Sequence, residues 1–127
     1  MSKSIKWELS VQVDDGTKIT IMDGMEIAAI DQLKFVVGSN APVNALVQPA
    51  GIGSAKFLFI TASAYNDALT YKVDSSTTSN KLNAPVFLTG DGAVSLLGST
   101  QEKFEFTNNI NPATPVTISI LVGRNAA

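Results

Sequence analysis

Few side chains in this chain are suited to acid–base or metal chemistry, and most of those are carboxylates. The chain has no His, no Cys, and eleven Asp and Glu residues. Without His, the commonest general base and metal ligand is missing, and a Ser/His/Asp triad is excluded. Without Cys, there is neither a disulfide framework nor a thiolate metal site. Catalysis would therefore rest on paired carboxylates, as in glycoside hydrolysis.

Five of the six carboxylates in the first quarter of the chain cluster there and are the candidates for such a site. They are Asp14, Asp15, Asp23, Glu26 and Asp31. Most stand beside Gly or in predicted turns, where Asp bonds its own backbone. Calcium needs several converging oxygen ligands, and this spacing matches no such loop. We therefore predict solvated turn acids, with no catalytic residues, no cofactor and no metal site; a surface calcium site and a two-carboxylate hydrolase are the alternatives.

Two glycine-containing segments resemble the start of a phosphate-binding loop. They are "GIGSAK" (51–56) and "TGDGAV" (89–94). A phosphate cradle needs a strand before the glycines and a helix N-terminus after them. The first segment follows Pro-Ala and leads into a strand, and the second lacks the same context. Both are predicted to be turns.

The amino-acid composition limits the kinds of partner that the chain is expected to bind. Charged residues make up 16% of the chain and hydrophobic residues 45%, whereas about 25% charged is typical. The cations are scattered and include a single Arg, so no nucleic-acid partner is expected. No apolar run approaches the roughly 18 residues of a membrane span. The apolar surplus thus favours burial between subunits, and an exposed patch on a monomer is the alternative.

Hydrophobic alternation with a period of two dominates the chain and predicts strands. "IKWELSVQV" (5–13) and "TKITIM" (17–22) flank Asp14-Asp15-Gly16 and predict a half-buried hairpin. Residues 23–38 predict a loop or short helix leading into a strand, and 43–47 a short edge strand between two prolines. "DALTYKVDS", "PVFLTG", "AVSLLG" and "FEFTNNINPATPVTISILVG" supply the later strands.

The segment "AKFLFITAS" (55–63) is apolar on both faces. Phe57 and Phe59 lie on one side and Leu58 and Ile60 on the other, so these four residues are the candidate oligomer interface. Tyr65 is the one aromatic residue predicted to be exposed. Strand spacing of roughly 8–12 residues is typical of a sandwich. We predict an all-β, single-domain antiparallel β-sandwich over 1–127, jelly-roll-like, with eight or nine strands and with its first and last strands in one sheet.

In its N-terminal lead "MSKSIKW" and its closing pair "FEFTNNINPATPVTISILVG", the chain resembles the small jelly-roll capsid decoration (cement) proteins of tailed bacteriophages. The resemblance implies a homotrimer on the outside of the phage shell, with the major capsid protein as partner. It also implies that an N-terminal arm contacts the capsid. Here residues 1–6 would be the arm, and the capsid contacts would come from six residues: Ser2, Lys3, Ser4, Ile5, Lys6 and Trp7.

Together, these expectations predict that the chain is a non-enzymatic structural protein of a virion. The lead shows no apolar stretch of a secretory signal, so synthesis is expected in the cytoplasm of the host bacterium. A carbohydrate-binding or receptor-binding sandwich module is the main alternative, because the fold permits it. A neck or tail component is a further alternative within the virion.

Overall fold

The structure, a computed structural model, describes residues 3–39, 41–46, 55–74, 76–97 and 103–124. Ten strands run through these residues. In chain order they are β1 (Lys3–Gln12), β2 (Lys18–Ile27), β3 (Ala29–Val37), β4 (Val43–Leu46), β5 (Ala55–Ala62), β6 (Asn66–Val73), β7 (Asn80–Leu82), β8 (Val86–Thr89), β9 (Lys103–Asn108) and β10 (Val116–Arg124). A short helix, α1 (Asp91–Val94), and a 3-10 turn (Ser95–Leu97) lie between β8 and β9.

Eight of the strands form two four-stranded antiparallel sheets that pack against each other. Their orders are β3-β10-β5-β8 and β4-β9-β6-β7. From β3 to β10, each strand lies in the sheet opposite its predecessor except β7, which stays beside β6. This alternation is the jelly-roll arrangement of a double-sheet sandwich. The all-β sandwich is confirmed. The described residues hold ten strands rather than the predicted eight or nine: eight form the sandwich, and β1 and β2 form a separate two-stranded sheet.

The core lies between the two four-stranded sheets and follows the alternation of the sequence. In β10, Val116, Ile118, Ile120 and Val122 are fully buried, as the pattern predicts. Phe104 and Phe106 of β9 are also fully buried, and Phe104 stacks on Tyr71 with ring centroids 6.0 Å apart. Burial raises the pKa of the Tyr71 hydroxyl above its usual value.

The last strand does not share a sheet with the first. β10 is an inner strand, paired with β3 on one side and β5 on the other. β1 pairs with β2 instead. The prediction that both terminal strands lie in one sheet is therefore wrong. β10 can occupy an inner position because its alternate residues are long, apolar and β-branched, which suits a strand paired on both edges.

The predicted loop or short helix within residues 23–38 is also wrong. β2 runs on to Ile27 and β3 starts at Ala29, so the two strands are separated by Ala28 alone. The Ala28 amide donates to the Arg124 carbonyl, with nitrogen and oxygen 2.9 Å apart. Pairing with distant strands thus determines the secondary structure of this segment: β1 pairs with its first part and β10 pairs with its second part.

The segment "AVSLLG" (93–98), for which the pattern predicts a strand, is helical instead over residues 93–97, and Gly98 lies outside the described residues. Gly90 adopts a φ of 91°, which favours glycine and turns the chain out of β8. The Val94 amide then donates to the Gly90 carbonyl at 3.1 Å, and the Ser95 hydroxyl to the Gly92 carbonyl at 2.8 Å. Val94 is buried in the core and Leu97 packs against it, so these two side chains anchor the turn, while Leu96 is 81% exposed. The predicted edge strand at 43–47 is confirmed over Val43–Leu46 as β4, at the edge of its sheet, and Val47 lies outside the described residues.

Candidate interaction surface

The hairpin of β1 and β2 carries its apolar face into solvent over its outer half. Leu9 lies opposite Ile21, and Val11 opposite Ile19, so these four side chains share one face. They are between 42% and 57% exposed, and Val13 beside the turn is 63% exposed. We call residues 9–21 the hairpin arm. Its alternation predicts a half-buried strand, and that prediction is wrong for the arm, because no other element of the described chain covers this face.

The base of the hairpin is fastened to the outer face of the β3-β10-β5-β8 sheet. Ile5, Ile27 and Phe57 form a buried apolar cluster there. Trp7 packs beside it, with ring centroids 5.7 Å from Phe57 and 6.0 Å from Phe87. The position of the arm is therefore set by side chains on one end of the hairpin only.

Gly123 of β10 lies directly under this base. A Cβ at position 123 would stand 2.7 Å from Cδ1 of Ile27 and 2.9 Å from Cδ1 of Ile5. Real Cβ atoms essentially never show such distances. The absence of a side chain at position 123 is thus what lets the two isoleucines rest on the sheet.

An apolar groove of about 560 Å³ lies between the hairpin base and the sheet. We call it the aromatic groove. Its apolar lining consists of Ile5, Trp7, Leu9, Phe57, Phe59, Pro85, Phe87 and Leu121, and Lys6 and Glu8 complete it. Phe87 is in edge contact with both Phe57 and Phe59, at centroid distances of 5.5 and 5.7 Å. Because Leu9 belongs to both, the arm and the groove form one continuous apolar surface.

The residues predicted as the oligomer interface separate into two sets. Leu58 and Ile60 are at most 1% exposed and lie in the core between the sheets. Phe57 is buried under the hairpin base, and Phe59 is half-buried in the aromatic groove. Of the four, Phe59 therefore offers the most surface to a partner. Sequence alternation alone could not separate the sets, because both faces of β5 are covered by apolar neighbours.

The expected N-terminal arm is mostly a paired strand. Lys3 to Trp7 belong to β1 and pair with Ile27 to Asp23 of β2. Met1 and Ser2 lie outside the described residues. The segment that protrudes is instead the hairpin arm, which lies further along the chain. The sequence signal that could have found it is the length of the alternating hairpin, ten residues in each strand.

The acidic residues of the first quarter are not brought together. Asp14 and Asp15 lie in the exposed hairpin turn, and Asp23 accepts a hydrogen bond from the Gly24 amide at 2.7 Å. Asp31 forms an ion pair with the guanidinium of Arg124, whose side chain is only 10% exposed. Within the described residues, no group of three or more carboxylates is placed to hold a metal ion. Sequence reasoning missed the Asp31–Arg124 pair because the two residues meet only through the pairing of β3 with β10.

Of the two glycine-containing segments, the structure describes the whole of "TGDGAV" and only the end of "GIGSAK". Residues 51–54 of "GIGSAK" lie outside the described part of the chain, and Ala55 begins β5. In "TGDGAV", β8 ends at Thr89 and α1 begins at Asp91, so the strand and helix that the sequence was expected to lack are present, although α1 has only four residues. Tyr65 is 37% exposed, as predicted, and its hydroxyl oxygen accepts from the Ala62 amide at 3.1 Å.

Comparison with known proteins gives no match: no family model, no curated protein and no solved structure matches the chain. The described residues also contain no helix long and apolar enough to cross a membrane. The fold and the surface define the class of protein, an all-β sandwich with jelly-roll strand order that carries a protruding apolar hairpin arm.

Proposed function

We propose that this protein is a non-enzymatic structural protein that works by association, first with itself as a symmetric oligomer and then with a larger shell. The observation that carries the proposal is the exposed apolar face of the hairpin arm. Its five apolar side chains expose an area on the order of 400 Å², as much as the largest patch on a typical monomer. Patches of this size mark interaction sites.

The specific setting we propose is the exterior of a bacteriophage capsid, where a homotrimer would bind the major capsid protein as a decoration (cement) protein. The jelly-roll strand order and the general resemblance of the sequence to such proteins support this setting. The mechanism is mass action: a protein that binds only the assembled shell stabilises it by its binding free energy. The virion, after synthesis in the host bacterial cytoplasm, is the corresponding location.

The first test is the solution mass from light scattering after size exclusion, at two protein concentrations. We expect a trimer at both concentrations, with three times the 13.4 kDa chain mass. The double variant Val11→Asp/Ile19→Asp places two charges opposite each other on the apolar face and should be monomeric. Ser10→Asp/Thr20→Asp is the matched control, since these residues are also paired and exposed but lie on the polar face.

The second test is co-sedimentation with expanded phage capsids. Binding by the natural chain and by the polar-face control, with loss in Val11→Asp/Ile19→Asp, would support the capsid setting. A stable trimer that binds no capsid would overturn that setting and leave self-association intact. A monomer at every concentration would overturn the proposal of a self-associating protein.

The aromatic groove favours one second candidate, a carbohydrate-binding or receptor-binding module. Half-buried Trp7, Phe59 and Phe87 line the groove, and sugar sites use such rings. The groove rings are tilted against one another by 42° to 90°, however, rather than forming a flat platform. Binding in a glycan screen that is lost in Trp7→Ala would raise this candidate above the first.

A further inference from the structure

We propose that the hairpin arm of one copy lies in the aromatic groove of the next copy, head to tail around a closed ring. This inference rests on the proposed self-association and names the two surfaces that meet. The occupant of the groove is thus residues 9–21 of a second copy of this chain. Both surfaces occur in every copy, so no other component is needed to fill them.

The arm needs a cover that its own chain does not provide. β1 and β2 pair only with each other among the described strands, so the outer edge of each lacks a strand partner. An isolated two-stranded hairpin is marginally stable in water and needs further packing. Val11 and Ile19, opposite each other in the middle of the arm, remain 49% and 57% exposed. The arm is therefore a well-defined element with an unsatisfied apolar face.

The groove offers the matching surface. It is open, apolar and walled by aromatic rings, which are the residues that anchor interfaces. The apolar face of the arm carries no charged side chain between Leu9 and Val13 or between Ile19 and Ile21. Insertion would therefore desolvate apolar groups and bury no unpaired charge. Lys6 and Glu8 stand beside the groove with opposite charges, so the rim repels neither an acidic nor a basic neighbour.

The area favours a second copy over a small ligand. A stable interface buries about 800 Å² on each partner, and the arm supplies on the order of 400 Å² of apolar side chain. The polar flanks of the arm and the groove wall would supply the remainder. Because the arm of one copy meets the groove of the next, the contact is heterologous, and such a contact forms a ring where its rotation closes and an open filament where it does not. A ring of three agrees with the proposed trimer.

Cross-linking between copies tests the contact directly, and the natural chain has no cysteine to interfere. One preparation carries Val11→Cys on the apolar face of the arm, and the other carries Pro85→Cys at the exposed rim of the groove. Each chain then has a single cysteine, so any disulfide between positions 11 and 85 joins two copies. Gln12→Cys, one residue along on the polar face, replaces Val11→Cys in the control. We expect at least about tenfold more mixed disulfide from the Val11→Cys mixture under mild oxidation.

Trp7 gives an independent readout, because it is the only tryptophan and it lines the groove. Filling of the groove by a neighbour's arm removes water from its ring, so emission should shift to longer wavelength when dilution below the light-scattering concentrations dissociates the trimer. The Val11→Asp/Ile19→Asp variant should keep its emission constant and dissociate at least about 100-fold more readily. Ser10→Asp/Thr20→Asp should behave like the natural chain.

The outcomes separate this inference from the proposed function. A trimer whose Val11→Cys mixture cross-links no better than the Gln12→Cys control would overturn the arm-in-groove contact and leave self-association standing. A trimer whose Trp7 emission is unchanged on dissociation would do the same. A chain that remains monomeric at every concentration would overturn both.

Discussion

At the scale of single residues, the structure depends on positions where a small or polar side chain meets a crowded environment. Gly123 is the clearest, because the tips of Ile5 and Ile27 and the Cβ of Phe57 surround the space that a side chain would take. Here glycine serves close packing of the hairpin base on β10 and not a left-handed conformation. Arg124, next along the strand, is buried and depends on Asp31 for its ion pair.

We expect Gly123→Ala to lower the free energy of unfolding by about 1–3 kcal/mol, because the new Cβ would overpack the hairpin base. Gly38→Ala is the matched control, since nothing lies within 4 Å of the corresponding Cβ. Its effect should stay within about 0.5 kcal/mol. Urea denaturation of both variants measures the difference. Equal effects would show that the hairpin base does not rest on Gly123 as described.

At the scale of elements, Asn108 ties the end of β9 to β3 and to the loop before β10. Its side-chain amide donates to the Val37 carbonyl at 3.0 Å and to the Thr114 carbonyl at 2.6 Å. Its side-chain oxygen accepts from the Ile110 amide at 3.0 Å. Asn108 is 1% exposed, so these bonds form out of contact with water. One side chain therefore satisfies three backbone groups where the two sheets meet.

Replacement of Asn108 by Ala should destabilise the fold by about 2–4 kcal/mol, because it leaves buried carbonyls without donors. The neighbouring Asn109 is exposed, and its backbone amide alone bonds to the Ala68 carbonyl, at 3.0 Å. Asn109→Ala should therefore cost less than about 0.5 kcal/mol. Thermal unfolding followed by circular dichroism compares the two. A cost for Asn108→Ala as small as that for Asn109→Ala would contradict the tying role.

At the scale of the whole molecule, the contacts that stabilise the sandwich do not include the hairpin arm. The sandwich has a continuous core between its two sheets, whereas the arm contributes no residue to either buried cluster. The arm should therefore be dispensable for folding and required for association. This division is what the proposed structural function needs, because an association surface must stay available after the chain has folded.

Joining Glu8 to Met22 through an Asn-Gly turn in place of residues 9–21 tests this division. The two residues are paired in the register, and Asn-Gly favours the two-residue turn that closes a hairpin. We expect a folded monomer whose Tm lies within about 4 °C of that of monomeric Val11→Asp/Ile19→Asp. Scanning calorimetry and light scattering report the two properties. A shortened chain that fails to fold would mean that the arm stabilises its own sandwich.

The local sequence pattern was sufficient to predict most strands, the hairpin turn, the edge position of β4 and the inward face of β10. These features follow from side-chain alternation and turn residues, which act between near neighbours in the chain. The sequence also indicated an apolar surplus beyond the needs of one core. It predicted an interface at Phe57, Leu58, Phe59 and Ile60, of which Leu58 and Ile60 lie in the core, and a half-buried hairpin whose outer half is exposed.

Only the tertiary structure decided which apolar faces are covered. Ile118 and Leu9 both lie on the apolar face of an alternating strand, yet Ile118 is fully buried and Leu9 is 42% exposed. Long-range pairing also made residues 23–27 the end of β2 and residues 29–37 the strand β3. Alternation indicates that a strand has an apolar face, but the side chains that cover this face come from elements distant in the chain. For the hairpin arm, we infer that the partner comes from another copy.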